Sequence, residues 1–254
     1  MTDVIVAASA AKVHGCDGGR LAVIPARGGS KRLPGKNIRS LLGRPAIAYT
    51  VAAAIDSGLF AQVVVSTDSE VIAEAARQAG ADVPFLREAT LADDYTPVST
   101  VTLDALQRLD PRESRFQHVA QLMPNCPLRA AEDVLASYAQ FVRTGAESQL
   151  SVTRFGWQNP WWAVRRTERL ELQPLFEERV TQRSQDLPEL FCLSGAVWWA
   201  VADVLRREGT FHVPRRTGWE LPWQRAVDID TEADWQLAEL LLQRCATVGP
   251  HHAL

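Results

Sequence analysis

The sequence predicts an α/β fold with a doubly wound, mostly parallel sheet, and three observations support this prediction. Short apolar runs that end at turn residues recur along the chain, segments with helix start and stop signals separate them, and the alternation holds from residue 21 to residue 153. Strands buried on both faces of a parallel sheet appear as continuous apolar runs, and helices connect them. The expected strands are residues 21–24, 62–66, 119–123, 150–153, 195–201 and 227–230.

The first two helices have clear boundary signals. Proline is favoured at the first helical position and glycine just after the last one, so a helix is expected between Pro45 and Gly58. Asp68 or Ser69 is expected to cap a second helix, which ends before Gly80. These helices complete the β-α-β-α alternation of the first hundred residues.

Later in the chain, a helical stretch is expected near residues 131–143, and Thr231 and Asp234 form a capping box for a last helix. Residues 154–190 interrupt the alternation with clustered tryptophan, proline and mixed charge, so they are expected to leave the main sheet. Aromatic residues are enriched where subunits meet, although they also pack beneath long loops.

The chain is expected to hold one main domain, residues 20–254, after a flexible tail at 1–19, with 154–190 as an inserted lobe. A net charge of -3 gives no basic field, so neither nucleic acid nor a membrane surface is expected as a partner. No apolar run approaches the roughly 18 residues that a membrane helix needs. The four cysteines are scattered without zinc or disulfide spacing, which fits a reduced cytoplasm.

A glycine-containing basic loop follows the first strand. The chain has only three lysines among its 27 basic residues, and two of them, Lys31 and Lys36, lie in this loop beside Arg27 and Arg32. No carboxylate occurs between residues 20 and 55. Glycines allow backbone N–H groups to approach phosphate oxygens, and cations neutralise the charge that develops as a phosphoanhydride breaks. The loop therefore predicts a polyphosphate site, although it lacks the spacing of a Walker loop.

Two carboxylates near the end of the chain predict a metal site. Asp228 and Asp230 are two positions apart, and alternate residues of a strand point to the same side. Both could therefore face one hard cation such as Mg²⁺. The alternative is that Asp230 helps to cap the helix that begins after Thr231.

These segments resemble a known family. The run from Val23 to Ile38, which reads VIPARGGSKRLPGKNI, is similar to the signature of CMP-nonulosonate synthetases, the sialic and pseudaminic acid cytidylyltransferases. Other similar segments follow in the family's order: Gly43-Arg-Pro45, Val65-Ser-Thr-Asp68, Val83-Pro-Phe-Leu-Arg87, Leu91-Ala-Asp-Asp-Tyr-Thr96, Pro127-Leu-Arg129, Arg183-Ser-Gln-Asp-Leu-Pro188 and Asp228-Ile-Asp-Thr231.

The resemblance implies a Rossmann-like nucleotidyltransferase fold with a small dimerisation lobe, a homodimer, and transfer of CMP from CTP to the anomeric hydroxyl of a nonulosonic acid, in cell-surface polysaccharide biosynthesis. Arg27 and Lys36 would hold the triphosphate and act with Asp230 in catalysis, while Asp228 and Asp230 would bind Mg²⁺. The remaining nucleotide contacts implied are Gly28, Gly29, Ser30, Lys31, Asn37 and Arg87. The sugar contacts implied are Gln121, Met123, Asn125, Arg183, Gln185 and Asp186.

One segment departs from the family pattern. Met123, Asn125 and Cys126 stand where sialic acid enzymes usually carry glutamine, threonine and serine, so a less polar sugar wall is expected. A site without those donors should favour a deoxy sugar of the pseudaminic or legionaminic type. Cys126 as a nucleophile is the alternative, but no histidine is placed to activate it, and buried cysteines are usually inert.

Three other functions stay open at this point. A KDO cytidylyltransferase would share the Pro25-Ala-Arg27 start, but Gly28, Gly29 and Asn37 look more like the sialic branch. A sugar-1-phosphate nucleotidylyltransferase would need a G-x-G-T-R loop, which is missing. A non-catalytic nucleotide-binding relative would lose the Asp228 and Asp230 pair, which is present.

Overall fold

The computed structural model describes residues 19–248, and its centre is a six-stranded sheet. The strands are β1 (Gly19–Pro25), β2 (Ser40–Leu41), β3 (Arg44–Pro45), β4 (Gln62–Ser66), β5 (Phe116–Gln121), β6 (Ser148–Arg154), β7 (Val164–Arg166), β8 (Leu172–Pro174), β9 (Phe191–Val201) and β10 (Arg216–Glu220). The helices are α1 (Ala46–Asp56), α2 (Glu70–Gln78), α3 (Val98–Leu109), α4 (Ala131–Thr144), α5 (Ala202–Glu208) and α6 (Glu232–Val248).

The strand order in the sheet is β10-β6-β9-β5-β1-β4. β1 pairs in parallel with β4 and β5, and β10 pairs in parallel with β6. β9 is antiparallel to both of its neighbours, β5 and β6. The prediction of a mostly parallel α/β sheet is confirmed. Ligands of such sheets bind beyond the carboxyl ends of the strands, so the residues after β1 and β5 face a common edge.

Helices cover both faces of the sheet, because alternate residues of the central strand are apolar on both sides. On β1, Ala22 and Ile24 pack with α1, α2 and α4, whereas Leu21 and Val23 pack with α3 and α5. All four side chains are fully buried. Full burial of a large aliphatic side chain stabilises a fold by about 1.5–3 kcal/mol. The strand that leads into the basic loop is therefore packed into the core on both of its faces.

The boundary signals of the helices are confirmed. α1 begins directly after Pro45, and Gly58 follows its end with a positive φ of 62°. Ser69 is the N-cap of α2 by backbone conformation, although its side chain makes no capping hydrogen bond. At α6, the Asp234 carboxylate accepts from the Thr231 N–H at 2.7 Å, and the Thr231 hydroxyl accepts from the Asp234 N–H at 3.3 Å.

The strand expected at residues 227–230 was wrong. This segment has no regular structure, and its backbone bonds to a loop instead of to a neighbouring strand. The Ile229 N–H donates to the Asn125 carbonyl at 2.9 Å. The strand at the edge of the sheet is β10, which the sequence did not reveal, because its residues are exposed or half-buried and Trp219 is its one large apolar residue.

Residues 154–190 lie between the end of β6 and the start of β9 and contain the short antiparallel hairpin of β7 and β8. The expected tail at 1–19 falls outside the described residues except for Gly19, which already pairs with Phe116 in the sheet. Across the described part of the chain, no helix has both the length and the apolar character needed to cross a bilayer.

Candidate functional site

A cleft of about 560 Å³ opens at the carboxyl edge of the sheet, beyond the ends of β1 and β5. Four segments that are distant in sequence form its walls: the basic loop after β1, residues 87–101, the loop after β5 and residues 228–230. The lining residues are Pro25, Arg27, Ser30, Lys31, Arg32, Lys36, Asn37, Arg87, Leu91, Asp93, Asp94, Thr96, Val98, Val101, Met123, Pro124, Asn125, Asp228 and Asp230.

The basic loop keeps its shape through contacts within itself and with the core. Leu33 is buried and anchors the middle of the loop. The Asn37 side-chain amide donates to the Arg27 carbonyl at 3.1 Å and so joins the two ends of the loop. Gly35 has a φ of 68°, a left-handed conformation that favours glycine. The loop therefore holds Arg27 and Lys36 on the same wall of the cleft.

Lys36 connects this loop to the carboxylate segment. Its Nζ donates to the Ile229 carbonyl at 2.8 Å and to Asp230 Oδ1 at 2.9 Å. Arg32 reaches the other oxygen of the same carboxylate at 2.6 Å. Because the Lys36 side chain is only 15% exposed, the contacts of Lys36 are better protected from water than a surface ion pair.

Asp228 lies beside Asp230 in the wall of the cleft, where part of the residue stays exposed to water. Desolvation by the surrounding protein, followed by the charge of Asp230, raises the pKa of Asp228 to about 6, against the opposing effect of Lys36. The Asn125 side-chain amide donates a hydrogen bond to Asp228 Oδ1. The two carboxylates are therefore brought together by the loops, although they do not share a strand.

The loop after β5 is held from behind by a buried arginine. Arg129 is 2% exposed, and its guanidinium donates to the Ala196 carbonyl on β9 and to the Met123 carbonyl at 3.4 Å. Burial lowers the pKa of Arg129 to about 10, so it remains charged at neutral pH. Gly195 leaves room for Met123, since a Cβ at Gly195 would lie 2.7 Å from Met123 Cγ. Met123 thus occupies the cleft wall because its neighbour has no side chain.

Arg87 is a second buried cation, and it faces the cleft. Its side chain is 3% exposed, and its NH2 group is 3.7 Å from Asp68, which is too long for a hydrogen bond. Its Nε and NH2 atoms lack hydrogen-bond partners, and burial lowers its pKa. Asp68 also accepts from the Gly28 N–H at 2.9 Å. A buried guanidinium whose N–H groups are not fully hydrogen-bonded is unfavourable, so Arg87 is suited to an anionic or oxygen-rich ligand.

The donors around the carboxylates fit a hard cation. Among the described residues, no group of three or more histidine, cysteine or acidic side chains could hold a metal by itself. However, Mg²⁺ is commonly bound by one or two carboxylates together with substrate phosphates. Asp228 and Asp230 supply such a pair beside the loop cations, and the buried Asn37 and Asn125 Oδ1 atoms have no hydrogen-bond partner.

Residues 21–149, which include the basic loop and the loop after β5, match the family model described as Cytidylyltransferase. The chain belongs to this family. It is 33% identical over 223 residues to pseudaminic acid cytidylyltransferase of Campylobacter jejuni, with 87% of this chain and 95% of the relative covered. It is 35% identical over 225 residues to CMP-N,N'-diacetyllegionaminic acid synthase of Legionella pneumophila, with 88% and 96% covered.

The fold of this cytidylyltransferase is also found among solved structures. The structure of CMP:2-keto-3-deoxy-manno-octonic acid synthetase complexed with CTP superimposes with a TM-score of 0.66. The match covers 89% of this chain and 98% of that one, at 16% sequence identity. At that identity the likeness shows the fold alone, and it confirms the Rossmann-like nucleotidyltransferase architecture.

Most of the site residues expected from the sequence line the cleft of this cytidylyltransferase. They are Arg27, Ser30, Lys31, Lys36, Asn37, Arg87, Met123, Asn125, Asp228 and Asp230. Gly28 and Gly29 are exposed in the same loop but do not line the cleft, and a side chain at Gly29 would meet nothing within 4 Å. Gln121 is buried behind the wall, where it accepts from the Thr102 hydroxyl at 2.8 Å.

The structure does not bring Arg183, Gln185 and Asp186 into the cleft. They lie on an exposed 3₁₀ turn of the inserted segment, where Arg183 donates to Asp186 at 2.8 Å. Cys126 is also outside the cleft wall and is fully buried, which raises its pKa to about 12. The expectation that Cys126 shapes the sugar wall was therefore wrong, and burial supports the argument against a nucleophile.

Sequence reasoning missed three charged residues of the cleft, Arg32, Asp93 and Asp94. Arg32 was recognised as a loop cation without a role, and it contacts Asp230. Asp93 and Asp94 belong to a segment similar to the family's, and their adjacency in a stretch without basic residues was the available signal. Their contact with the basic loop required the fold.

Proposed function

We propose that this protein transfers CMP from CTP to the anomeric hydroxyl of a nonulosonic acid and releases pyrophosphate. The observation that carries the proposal is the meeting of the loop cations with the Asp228 and Asp230 carboxylates at one end of a single cleft. Relatives named for pseudaminic and legionaminic acid, which match nearly the whole chain, support the choice of substrates.

The reaction requires no covalent enzyme intermediate. The sugar's anomeric oxygen attacks the α-phosphorus of CTP, the hydroxyl proton is released, and the bond from the α-phosphorus to the bridging oxygen of pyrophosphate breaks. Arg27 and Lys36 bind and orient the phosphates and neutralise the charge that develops on the leaving oxygen. Arg87 is buried, and its Nε and NH2 atoms lack hydrogen-bond partners, so it suits a contact with an oxygen acceptor of the cytosine base.

Asp228 and Asp230 are proposed to hold Mg²⁺, and the Oδ1 atoms of Asn37 and Asn125, which lack hydrogen-bond partners in the same cleft, would offer further oxygen donors. A bound Mg²⁺ would reduce the negative charge of the phosphate oxygens. The contribution of this chain is to place both carboxylates. Lys36 and Arg32 orient Asp230, and Asn125 orients Asp228.

The proposed sugar is a deoxy nonulosonic acid of the pseudaminic or legionaminic type. Met123 lines the cleft as an apolar residue, and the Asn125 amide already donates to Asp228. This wall therefore offers few free hydrogen-bond donors to the hydroxyl groups of a sugar. A site without such donors does not favour a sugar that carries more hydroxyl groups.

A cytoplasmic homodimer is also proposed, with the inserted segment as its interface. Trp157 is 87% exposed, and several further apolar side chains of this segment and of the start of β9 are exposed. These are Trp162, Val164, Leu170, Leu172, Leu175, Phe191 and Leu193. A clustered apolar surface of this kind is characteristic of subunit contacts.

A pyrophosphate-release assay across nucleotides and acidic sugars tests the function. Release is expected with CTP, Mg²⁺ and a nonulosonic acid together, and neither UTP nor KDO should replace the preferred substrates efficiently. Lys36→Ala should lose the activity, whereas Arg44→Ala, which removes an exposed arginine outside the cleft, should retain it. Release that is independent of the sugar, or that prefers KDO, would contradict the proposal.

A further inference from the structure

A short loop opposite the basic loop projects a carboxylate into the cleft. It begins with the 3₁₀ turn Ala89–Leu91. The Asp93 carboxylate then accepts from the N–H groups of Tyr95 and Thr96, at 2.8 and 2.6 Å. These bonds fold the backbone back on itself and leave the neighbouring Asp94 side chain directed at the basic loop. The loop geometry is therefore set by Asp93, and Asp94 is the group that makes the contact.

Asp94 binds two of the cations assigned to phosphate. Its Oδ1 is 2.9 Å from Arg27 NH1, and its Oδ2 forms a close ion pair with Lys31 Nζ. Arg27 NH1 also donates to the Asp93 carbonyl at 2.7 Å. The hydrogen bond from Lys31, followed by the contacts with Arg27, lowers the pKa of Asp94, so it is ionised at neutral pH.

A carboxylate and a phosphate oxygen use the same donors on arginine and lysine, so they compete for them. Arg27 and Lys31 cannot keep their contacts with Asp94 and also direct the same N–H groups at a triphosphate. The cleft as a whole is nearly balanced in charge before any ligand enters. Its cations are Arg27, Lys31, Arg32, Lys36 and Arg87, and its carboxylates are Asp93, Asp94, Asp228 and Asp230.

We propose that Asp94 is an internal counter-ion that occupies the phosphate-binding groups of Arg27 and Lys31 and that the polyphosphate of the substrate displaces. Breaking the ion pairs of Asp94 costs free energy and so lowers the affinity for nucleotide. When these ion pairs form again, they promote the release of pyrophosphate. The identity of the ligand as CTP rests on the proposed function, whereas the competition with polyphosphate does not. Asp94 is thus an affinity-determining residue of the cleft.

The test is calorimetric titration of inorganic tripolyphosphate into the full chain, with a chelator present so that no cation takes part. Asp94→Asn should bind tripolyphosphate about fivefold more tightly than the unaltered protein, because two partly exposed ion pairs no longer have to be broken. Glu88→Gln is the matched control. It removes one negative charge from the same segment, and Glu88 pairs with Arg108 at 2.9 Å outside the cleft. Its affinity should change less than twofold.

Unchanged or weaker binding by Asp94→Asn would overturn the inference, as would an equal gain in Glu88→Gln. Asp94→Ser serves as a second variant, and its gain should match that of Asp94→Asn if both keep the thermal stability of the unaltered protein. The binding result does not depend on whether the protein turns over CTP. If Asp94→Asn binds tripolyphosphate more tightly but neither it nor the unaltered protein turns over CTP, the inference is upheld and the proposed function is refuted. If CTP is turned over but Asp94→Asn gains no affinity for tripolyphosphate, the proposed function is upheld and the inference is refuted.

Discussion

Lys36 connects two segments of the structure and is also proposed to bind phosphate, and its replacement by methionine is expected to affect both. Methionine keeps an unbranched side chain of similar length but removes the ammonium group. That group donates to the Ile229 carbonyl and to Asp230, and its side chain is 15% exposed. The change should therefore weaken the attachment of the carboxylate segment and also remove a cation that is proposed to bind the polyphosphate.

The two effects have different sizes. A hydrogen bond to a charged group contributes about 1.5–3 kcal/mol, so losing the ammonium group should destabilise the fold by about 2 kcal/mol. In a chain of this size that corresponds to a fall in Tm of about 4–8 °C. Loss of one donor that stabilises transition-state charge lowers kcat about 10²–10³-fold. The catalytic loss should therefore be clear while the protein is still folded.

Arg27→Ala is the informative comparison, because Arg27 is proposed to bind the same ligand, whereas in the structure its ion pair with the Asp94 side chain is partly exposed. It should lose kcat/KM strongly but less than about 1 kcal/mol of stability. The measurements are pyrophosphate-release kinetics and urea unfolding of both variants. The reasoning fails if Lys36→Met keeps kcat/KM within about threefold, or if Arg27→Ala is the more destabilised of the two.

Three further predictions follow from other parts of the molecule. Because the pKa of Asp228 is raised to about 6, its ionisation destabilises the folded state as pH rises through that value. In chelator, Asp228→Asn should therefore be more stable than the unaltered protein at neutral pH, by about 1 kcal/mol after solvent screening, and equally stable near pH 4. Its turnover with Mg²⁺ should be abolished, and a stability gain in urea unfolding that does not depend on pH would contradict the prediction. Met123→Gln should shift kcat/KM about three- to tenfold toward N-acetylneuraminate over a 9-deoxy sugar in direct competition, and a parent enzyme that already prefers N-acetylneuraminate would refute the reasoning about this wall. Light scattering at micromolar concentration should give a dimer, and Trp157→Ser should weaken it; a monomer would rule out the proposed interface.

The elements with strong local signals could be predicted from the sequence. β1 and β4 are short apolar runs, and α1 is bounded by Pro45 and Gly58, so their positions follow from local chemistry. β10 could not be found, because an edge strand gains its place by pairing with β6 and needs no apolar run. The antiparallel direction of β9 likewise depends on the path of residues 154–190, which no local pattern specifies.

In the site, too, some residues have a local signal in the sequence and others depend on the folded structure. The presence of Arg27 and Lys36 in the cleft could be predicted, because a dense basic loop after a buried strand is typical of a phosphate-binding site. Asp228 and Asp230 were expected in one place for a reason that was wrong, since the segment is not a strand. Lys36 and Asn125 bring them together instead. The ion pair between Asp94 and Lys31 joins segments more than sixty residues apart, so only the folded structure reveals it.

The most direct test of the proposed activity is mass spectrometry of the product formed from CTP and a nonulosonic acid labelled with ¹⁸O at the anomeric hydroxyl. Direct attack by that oxygen on the α-phosphorus predicts a CMP-sugar that retains the label, formed in equal amount with unlabelled pyrophosphate and only when Mg²⁺ is present. A CMP-sugar without the label, or consumption of CTP without any CMP-sugar, would contradict the assignment.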